Sequence, residues 1–259
     1  MNSSHKRFSI FLTSIFIFLV HLPFVFASMK PISEMNRDAS STITKSIVIK
    51  SSIGEVLPAS TKPCVYDSLH LKALGLSREA YDYAIRGLNS LQSGGKLSND
   101  TIISIIDFSL SSAKKRLFVI DLKHYKVLYN TYVAHGRNSG DEYANEFSND
   151  PSSFKSSLGF YITGGTYKGE HGYSLHLEGE EKGINDNAYS RSIVMHCASY
   201  ANEKYIKSKG YLGRSLGCPA IPQKVYKPII NEIKNGTCLF LYSPDPYYIS
   251  HSSFLQQPS

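Results

Sequence analysis

The chain is organised around two short stretches, Ile193 to His196 (IVMH) and Arg214 to Ala220 (RSLGCPA). In the second stretch, Cys218 stands between a glycine and a proline. Because proline removes a backbone donor and glycine loosens the backbone, this sequence predicts a tight turn that fixes the thiol. His196 ends an apolar run that is typical of a strand. A cysteine and a histidine brought together by the fold are the minimum for thiol catalysis, in which the imidazole takes the proton and the thiolate attacks.

The spacing of this pair is by itself a weak indication of catalysis. A buried cysteine is more often a small hydrophobic residue than a nucleophile. The glycine at 217 strengthens the catalytic interpretation, because there the backbone N–H groups can approach a developing oxyanion, as acyl transfer requires. From the residues alone, both interpretations of Cys218 stay open.

The composition is ordinary for a globular protein: of 259 residues, 42% are hydrophobic and 19% are charged. Tyrosine occurs 18 times and tryptophan is absent, and many Tyr and Phe residues favour a strand-rich chain. The formal net charge of +7 suits an anionic wall or membrane surface, although solubility is the simpler explanation. No dense Lys/Arg patch or aromatic–basic motif occurs, so no nucleic-acid partner is predicted.

Residues 1–27 predict a secretory signal peptide. Lys6 and Arg7 precede an apolar core from Phe8 to Val20, and Val25 to Ala27 resembles a small-residue cleavage site. The alternative is an uncleaved anchor that tethers the protein to the membrane, since the apolar stretch approaches the roughly 20 residues that span a bilayer. In both cases we expect the rest of the chain to be exported.

Two segments follow before the pattern becomes strand-like. Residues 28–62 are rich in Ser, Thr and Lys and predict a flexible linker. Residues 63–110 predict a helical N-terminal subdomain, in which Ser77 caps a helix that a Gly-Gly pair at 94 and 95 ends. A second helix is predicted from Asn99 or Asp100, although the isoleucine run alternatively forms a strand.

Residues 111–245 predict a domain of short strands, and residues 246–259 a C-terminal tail. Strands are predicted at 117–122, 126–134, 159–163, 173–178, 192–196 and 239–242, and helices at 202–209 and 223–234. Many strands with few helices indicate a sandwich or an open barrel. The predicted fold class is therefore mainly β with added helices (α+β).

Four cysteines in an exported protein permit disulfides. If Cys218 is a nucleophile it stays reduced, which leaves a Cys64–Cys238 disulfide or none. Cys197 either regulates the site by pairing with Cys218 or packs beside it.

Six ordered motifs between about Ile106 and Ala220 resemble the murein L,D-transpeptidase catalytic-domain family, which has the YkuD-type β-sandwich. They are IDFS (106–109), VAHGRNSG (133–140), SSLG (156–159), NDNA (185–188), IVMH (193–196) and GRSLGCPA (213–220). The resemblance implies that this sandwich follows the helical segment.

The resemblance also implies roles. Cys218 would be the nucleophile and His196 its base, the carbonyl of Cys197 would orient the imidazole, and N–H groups near Gly217 and Cys218 would hold the oxyanion. The substrate would be the peptidoglycan stem peptide, attacked at the meso-diaminopimelate carbonyl that precedes D-alanine. The amine of a second stem would then resolve the thioester into an L,D cross-link. No metal or organic cofactor is expected, and the protein would work in the periplasm or cell envelope.

The chain departs from the best-studied members at two positions. Leu216 replaces a histidine, and Ala220 stands where an arginine is usual. Arg214, Arg191 or Arg137 is then expected to supply positive charge for substrate binding. Three functions stay open: a cross-linking transpeptidase, an L,D-carboxypeptidase or wall hydrolase with the same acyl-enzyme, and a non-catalytic peptidoglycan-binding module. Retention of both the cysteine and the histidine argues against the third.

Other polar residues give weaker indications. His135 either lines the cleft or caps a turn, and Asn138 is expected to shape the same loop and contact substrate. Ser215 either donates a hydrogen bond near the thiolate or holds the turn. His171 and His176 match no zinc-binding spacing, so no metal site is predicted.

Overall fold

A mixed sheet of eight strands organises the described part of the chain. The computed structural model describes residues 64–256, which belong to one compact unit. The predicted signal peptide (1–27) and linker (28–62) lie outside the described residues.

The sheet has the strand order β3-β2-β1-β8-β4-β5-β6-β7. The strands are β1 (Ile102–Asp107), β2 (Leu117–Asp121), β3 (Lys126–Thr131), β4 (Gly159–Gly169), β5 (Gly172–Gly179), β6 (Val194–Ala198), β7 (Ala220–Pro222) and β8 (Cys238–Tyr242). The helices are α1 (Val65–Ser68), α2 (Arg78–Ser93), α3 (Glu203–Lys209), α4 (Tyr226–Ile233) and α5 (Pro246–His251). The predicted fold class, mainly β with added helices, is confirmed.

Helix α2 begins and ends where the sequence predicts. The Ser77 side chain accepts a hydrogen bond from the N–H of Ala80, and Gly94 is the C-cap. The apolar face of α2, with Tyr81 and Leu88, is buried against β1 and β8. Local capping and a 3.6-residue apolar period therefore place this helix on the sheet.

The predicted second helix is wrong: Ile102–Asp107 is a strand, as the alternative had it. All six residues are buried: β2, the antiparallel partner, and β8, the parallel partner, flank β1 within the sheet, and helices α2 and α4 pack against it. A strand covered on both faces shows no polar alternation, so its apolar run is easily mistaken for a helix face. Since β1 pairs with β8, the predicted boundary at 110/111 falls inside the compact unit.

The hairpin of β4 and β5 is longer than the sequence indicates. The strand predicted at 159–163 continues to Gly169, and its register with β5 shifts between Thr163 and Thr166. The Gly164-Gly165 pair lies within this bulge and does not end the strand. The hairpin turn at Glu170 and His171 consequently lies well beyond the predicted strand end.

The two edges of the sheet meet beyond β3. Ala134 and Ala220 form a bridge in which each N–H donates to the other's carbonyl, at 2.8 and 3.3 Å. The bridge joins the chain that leaves β3 to β7 at the opposite end of the strand order. This closure brings residues 134–137 alongside the segment that carries Cys218.

The predicted C-terminal tail is packed against the sheet in its described part. Phe254 lies 5.1 Å from Phe160 between ring centroids. Glu181 is 1% exposed and accepts hydrogen bonds from the hydroxyls of Tyr248, in α5, and Ser252. Residues 246–256 therefore form part of the fold.

All four cysteines are free. The possible Cys64–Cys238 disulfide is not formed, since Cys64 is exposed and Cys238 is buried in β8. Within residues 64–256, every helix is too short or too polar to cross a membrane.

Candidate active site

Cys218 lies at the end of the loop that enters β7, and it is half-buried. Its Sγ accepts a hydrogen bond from the N–H of Val194 at 3.4 Å and lies 3.7 Å from the carbonyl oxygen of Ser192. Burial raises the pKa of the thiol, while the Val194 N–H and the charge of Arg191 oppose that rise. The thiol is therefore predominantly protonated at neutral pH.

The turn before the cysteine is rigid, as the sequence predicts. Gly217 has a φ of 125°, and a Cβ at this position would lie 2.9 Å from the carbonyl oxygen of Lys155. Ser215 Oγ donates to the carbonyl of Cys218 at 2.6 Å and accepts from the N–H of Gly217 at 3.1 Å. The Ser215 hydroxyl thus bridges the N–H of Gly217 and the carbonyl of Cys218 within this turn.

These bonds affect the predicted oxyanion donors differently. The N–H of Gly217 is occupied by Ser215 Oγ. Among the backbone hydrogen bonds of residues 64–256, none uses the N–H of Cys218 as a donor to another residue. The Cys218 N–H, which approaches its own Sγ, is therefore bonded to no other described residue and can donate to an oxyanion that develops next to the sulfur.

His196 lies in β6, opposite Ala220 of β7, and is 3% exposed. Its Nδ1 lies 2.9 Å from the carbonyl oxygen of Cys197. Because a carbonyl only accepts, Nδ1 carries the proton and Nε2 of the neutral ring carries the lone pair. Burial lowers the pKa of the imidazole, and the nearby His171 lowers it further, while the bond to Cys197 acts the other way. His196 is thus a neutral base at pH 7.

The thiol and the imidazole lie on neighbouring segments. His196 pairs with the residue two positions after Cys218, and the N–H that reaches Sγ belongs to Val194, two positions before His196. Among the described residues, no hydrogen bond joins Sγ to either ring nitrogen of His196. Direct proton transfer between them therefore requires that a ring nitrogen and Sγ first come within hydrogen-bond distance.

Arg191 is a cation fixed beside the cysteine loop. Its Nη1 donates to Ser148 O at 2.8 Å and Ser157 Oγ at 2.5 Å, and its Nη2 donates to Ser153 Oγ at 3.1 Å and Lys155 O at 2.8 Å. All four terminal N–H groups are used in this way. A charge that is held in place beside the loop stabilises a thiolate but is not free to clamp a substrate carboxylate.

The other two predicted arginines have different surroundings. Arg214 forms an ion pair with Asp141. Arg137 is exposed, and its guanidinium carbon lies 4.3 Å from the centroid of the Phe154 ring. The exposed Asn138 donates to the carbonyl of Ser153 at 2.8 Å. Of the three arginines, Arg137 is the one whose terminal N–H groups make no hydrogen bond within the described residues.

His135 is buried under the site and does not line the cleft. It is 1% exposed, with Nδ1 2.7 Å from Nη2 of Arg116 and Nε2 3.1 Å from the carbonyl oxygen of Gly140. Burial and the charge of Arg116 lower the pKa of His135 to about 3. Its own carbonyl accepts from the N–H of Ser215 at 2.9 Å. His135 is a neutral side chain that links a buried arginine to the cysteine turn.

The structure places beside His196 two residues that were not assigned to the site from the sequence. His171, at the β4–β5 turn, stacks on His196 with ring centroids 4.3 Å apart and 21° between the planes. Glu170 precedes it and shares a cavity of about 340 Å³ with both histidines, Cys197, Tyr200 and Gln223. From the sequence, His171 was considered only as a metal ligand and Glu170 was not considered, because the bulged hairpin that carries them ends far from the predicted strand.

No group of three or more His, Cys, Asp or Glu side chains within residues 64–256 is arranged to hold a metal ion. His171 stacks on His196, whereas His176 stacks on Tyr167, with ring centroids 4.5 Å apart. The groups that the described residues bring together here are a thiol, an imidazole and backbone donors.

The sequence matches a family model described as the L,D-transpeptidase catalytic domain over residues 72–242, which is more than half of the chain. No match is found among curated proteins.

Similar solved structures include an L,D-transpeptidase from Mycobacterium smegmatis (11% identity, TM-score 0.34), covering 55% of this chain and 59% of that one. An L,D-transpeptidase from Stackebrandtia nassauensis has 14% identity and a TM-score of 0.34, with coverage of 64% and 66%. The helical cell shape determining protein Pgp2 from Campylobacter jejuni has 10% identity and a TM-score of 0.37, with coverage of 65% and 57%. This chain thus spans less than two thirds of each of these structures, and the family match carries the assignment.

Proposed function

Because the chain belongs to the family of L,D-transpeptidase catalytic domains, we propose that it is an exported cysteine acyltransferase that acts on peptidoglycan stem peptides and makes L,D cross-links. One observation carries the proposal. The half-buried Cys218 thiol and the neutral His196 imidazole lie on adjacent segments, and the Cys218 N–H beside the sulfur is bonded to no other described residue. These are the nucleophile, the base and the oxyanion donor of acyl transfer.

In the first half-reaction, Nε2 of His196 takes the thiol proton and Sγ of Cys218 attacks the diaminopimelate carbonyl of the donor stem. The carbonyl oxygen becomes an oxyanion that the Cys218 N–H stabilises. When the intermediate collapses, the bond to D-alanine breaks and the imidazolium returns its proton to the leaving amine. The product is a thioester at Cys218 and free D-alanine.

In the second half-reaction, the amine of an acceptor stem attacks the thioester. His196 takes a proton from the attacking amine, and the sulfur leaves as a thiolate that then regains that proton. A new amide, the L,D cross-link, forms, and the free enzyme is restored. The same imidazole thus acts as base and acid in both halves.

Positive charge is divided between two arginines in this proposal. Arg191, with four fixed hydrogen bonds, stabilises the thiolate and the oxyanion by its charge. Arg137 is exposed over the Phe154 ring, and it binds the free carboxylate of the donor stem. Arg214, which is paired with Asp141, contributes to the shape of the loop.

An amine acceptor is favoured over water by the cavity beside His196. Glu170 is one of the residues that line this cavity, and its negative charge attracts the ammonium group of an incoming diaminopimelate side chain. Hydrolysis needs no such group. We therefore favour cross-linking over the L,D-carboxypeptidase or wall-hydrolase activity that would use the same acyl-enzyme.

The test is to incubate the mature chain with purified disaccharide-tetrapeptide and resolve the products by mass. Cross-linked dimers with release of D-alanine are expected. The Cys218→Ala variant should leave the substrate unchanged, whereas the matched Cys64→Ala variant, which removes an exposed thiol away from the site, should react like the native chain. Tripeptide alone would establish hydrolysis in place of cross-linking. Unchanged substrate with retention on peptidoglycan would establish a binding module and contradict the proposal.

A further inference from the structure

A second imidazole covers the face of the proposed base. The rings of His171 and His196 are nearly parallel, with an angle of 21° and a centroid separation of 4.3 Å. His196 is 3% exposed although it faces a cavity, while His171 itself is exposed at the hairpin turn. His171 is thus one of the groups that keep solvent from the His196 ring.

The hairpin turn is attached at this place. The thiol of Cys197 points to the carbonyl oxygen of His171 at 3.7 Å, and the carbonyl of Cys197 holds Nδ1 of His196 at 2.9 Å. Cys197 of β6 therefore contacts both histidines, and these contacts keep the two rings stacked.

From this arrangement we propose that His171 is a positioning residue for His196. Its ring fixes the plane of the catalytic imidazole, so that Nδ1–H stays on the Cys197 carbonyl and Nε2 keeps the lone pair for the Cys218 proton. The inference rests on the proposed function, because it assigns a purpose to the orientation of the base in that reaction.

The charges around His196 act in a defined direction. The polar groups that share its cavity are His171 and Glu170 from the hairpin turn, Cys197 from its own strand, Ser199 and Tyr200 from the segment that follows, and Gln223 after β7. Burial is the largest cause of its lowered pKa, and the charge of His171 adds to it. Both effects keep the base neutral, and both depend in part on the His171 ring.

Two substitutions separate the ring from its charge. His171→Phe keeps a flat ring and removes the charge, whereas His171→Ala removes both. His176→Phe is the matched control, since it alters another histidine of the same hairpin that stacks on Tyr167 instead. His171 is exposed, so these changes are expected to leave the fold intact, and circular dichroism checks this.

The first readout is nitrogen-15 NMR of the histidine-labelled protein, which reports the tautomer and pKa of His196 without any substrate. We expect the pKa of His196 to rise in the order native, His171→Phe, His171→Ala, with the Nδ1–H tautomer less populated only in the last. The His176→Phe variant should leave the His196 signals in place. An unchanged His196 titration and tautomer in His171→Ala would overturn the inference.

The second readout is the rate of thioester formation. We expect the rate constant of thioester formation to fall by about tenfold in His171→Ala, because misorientation of a catalytic group has costs of this order or larger. In His171→Phe it should lie within about twofold of the native value. An equal loss in both variants would also overturn the inference, since the ring would then act chemically and not by stacking. Failure of the proposed function itself is recognised separately, by the absence of any Cys218-dependent product.

Discussion

The close approach of three backbone segments at Gly136 leads to a sharp prediction. Gly136 has φ −66° and ψ 141°, a conformation that alanine adopts without strain. A Cβ at this position would nevertheless lie 2.5 Å from the carbonyl oxygen of Phe154, 2.9 Å from the nitrogen of Ser156 and 3.0 Å from Cα of Gly217. All three atoms are backbone, so no side-chain rotation relieves the overlap. Gly136→Ala must therefore push the segments apart.

The expected cost follows from the contacts that hold these segments together. Ser156 Oγ accepts from the N–H of Gly136 and donates to the carbonyl of Gly217, both at 3.0 Å. Overpacking costs about 1–3 kcal/mol, and each hydrogen bond that is lost costs about 1 kcal/mol. With the loss of one of these two hydrogen bonds, we expect Gly136→Ala to lower the free energy of unfolding by about 2–4 kcal/mol, or the Tm by roughly 4–16 °C for a domain of this size.

The matched control is Gly165→Ala, because a Cβ at Gly165 meets nothing within 4 Å. Its stability should stay within about 0.5 kcal/mol of the native value. Thermal unfolding by circular dichroism measures both variants, and alkylation of Cys218 by iodoacetamide reports displacement of the thiol. If Gly136→Ala melts with the control and alkylates at the native rate, then the three segments are not in the tight contact described here, and the reasoning fails.

Three further predictions concern charge. Arg191→Gln should move the pH profile of Cys218 alkylation to higher pH and slow the reaction at neutral pH, by about tenfold for each pH unit that the profile moves. Arg191→Lys should recover part of the lost rate. An unchanged profile would mean that the charge of Arg191 does not stabilise the thiolate. Burial raises the pKa of Glu181, so the folded state binds its proton more tightly than the unfolded state, and the stabilisation is full below the unfolded pKa and lost as pH rises through the folded one. Thermal melts between pH 5 and pH 8 should therefore show this loss in the native protein and a flatter dependence in Glu181→Gln, and identical slopes would contradict the assignment. Glu170→Gln should lower the ratio of cross-linked dimer to tripeptide several-fold without slowing D-alanine release, and an unaltered ratio would remove the acceptor role of the cavity.

The sequence predicts the elements that local chemistry determines. Helix α2 has a serine cap, an apolar face and a glycine end, and all three are found. The isoleucine run of β1 is ambiguous because it forms a strand by pairing with β2 and β8, and both of these strands come later in the chain. A buried central strand owes its conformation to pairing, and pairing partners are not visible in a window of six residues.

In the candidate site, too, some features follow from the local sequence and others depend on distant residues. The rigid turn around Cys218 and the strand that carries His196 follow from residues beside them in sequence. The burial of His135 could not be predicted, because it depends on Arg116, whose guanidinium is enclosed by carbonyl groups of Leu110 and Val133. The stacking of His171 depends on a bulged hairpin whose length only the completed sheet determines.

The environments of the thiol and the imidazole favour a neutral pair at rest. Burial raises the pKa of Cys218 and lowers that of His196, so both changes disfavour the thiolate–imidazolium ion pair. The nearby charge of Arg191 offsets only part of the rise in the thiol pKa. A neutral thiol without a hydrogen bond to its base is a weak nucleophile towards oxidants and stray electrophiles. In the reaction that we propose, the sulfur becomes reactive when a bound peptide turns the two groups together and offers a carbonyl whose developing charge the Cys218 N–H and Arg191 stabilise. Reactivity in this site is then coupled to occupancy, which explains how a thiol that is free of any disulfide stays available for acyl transfer.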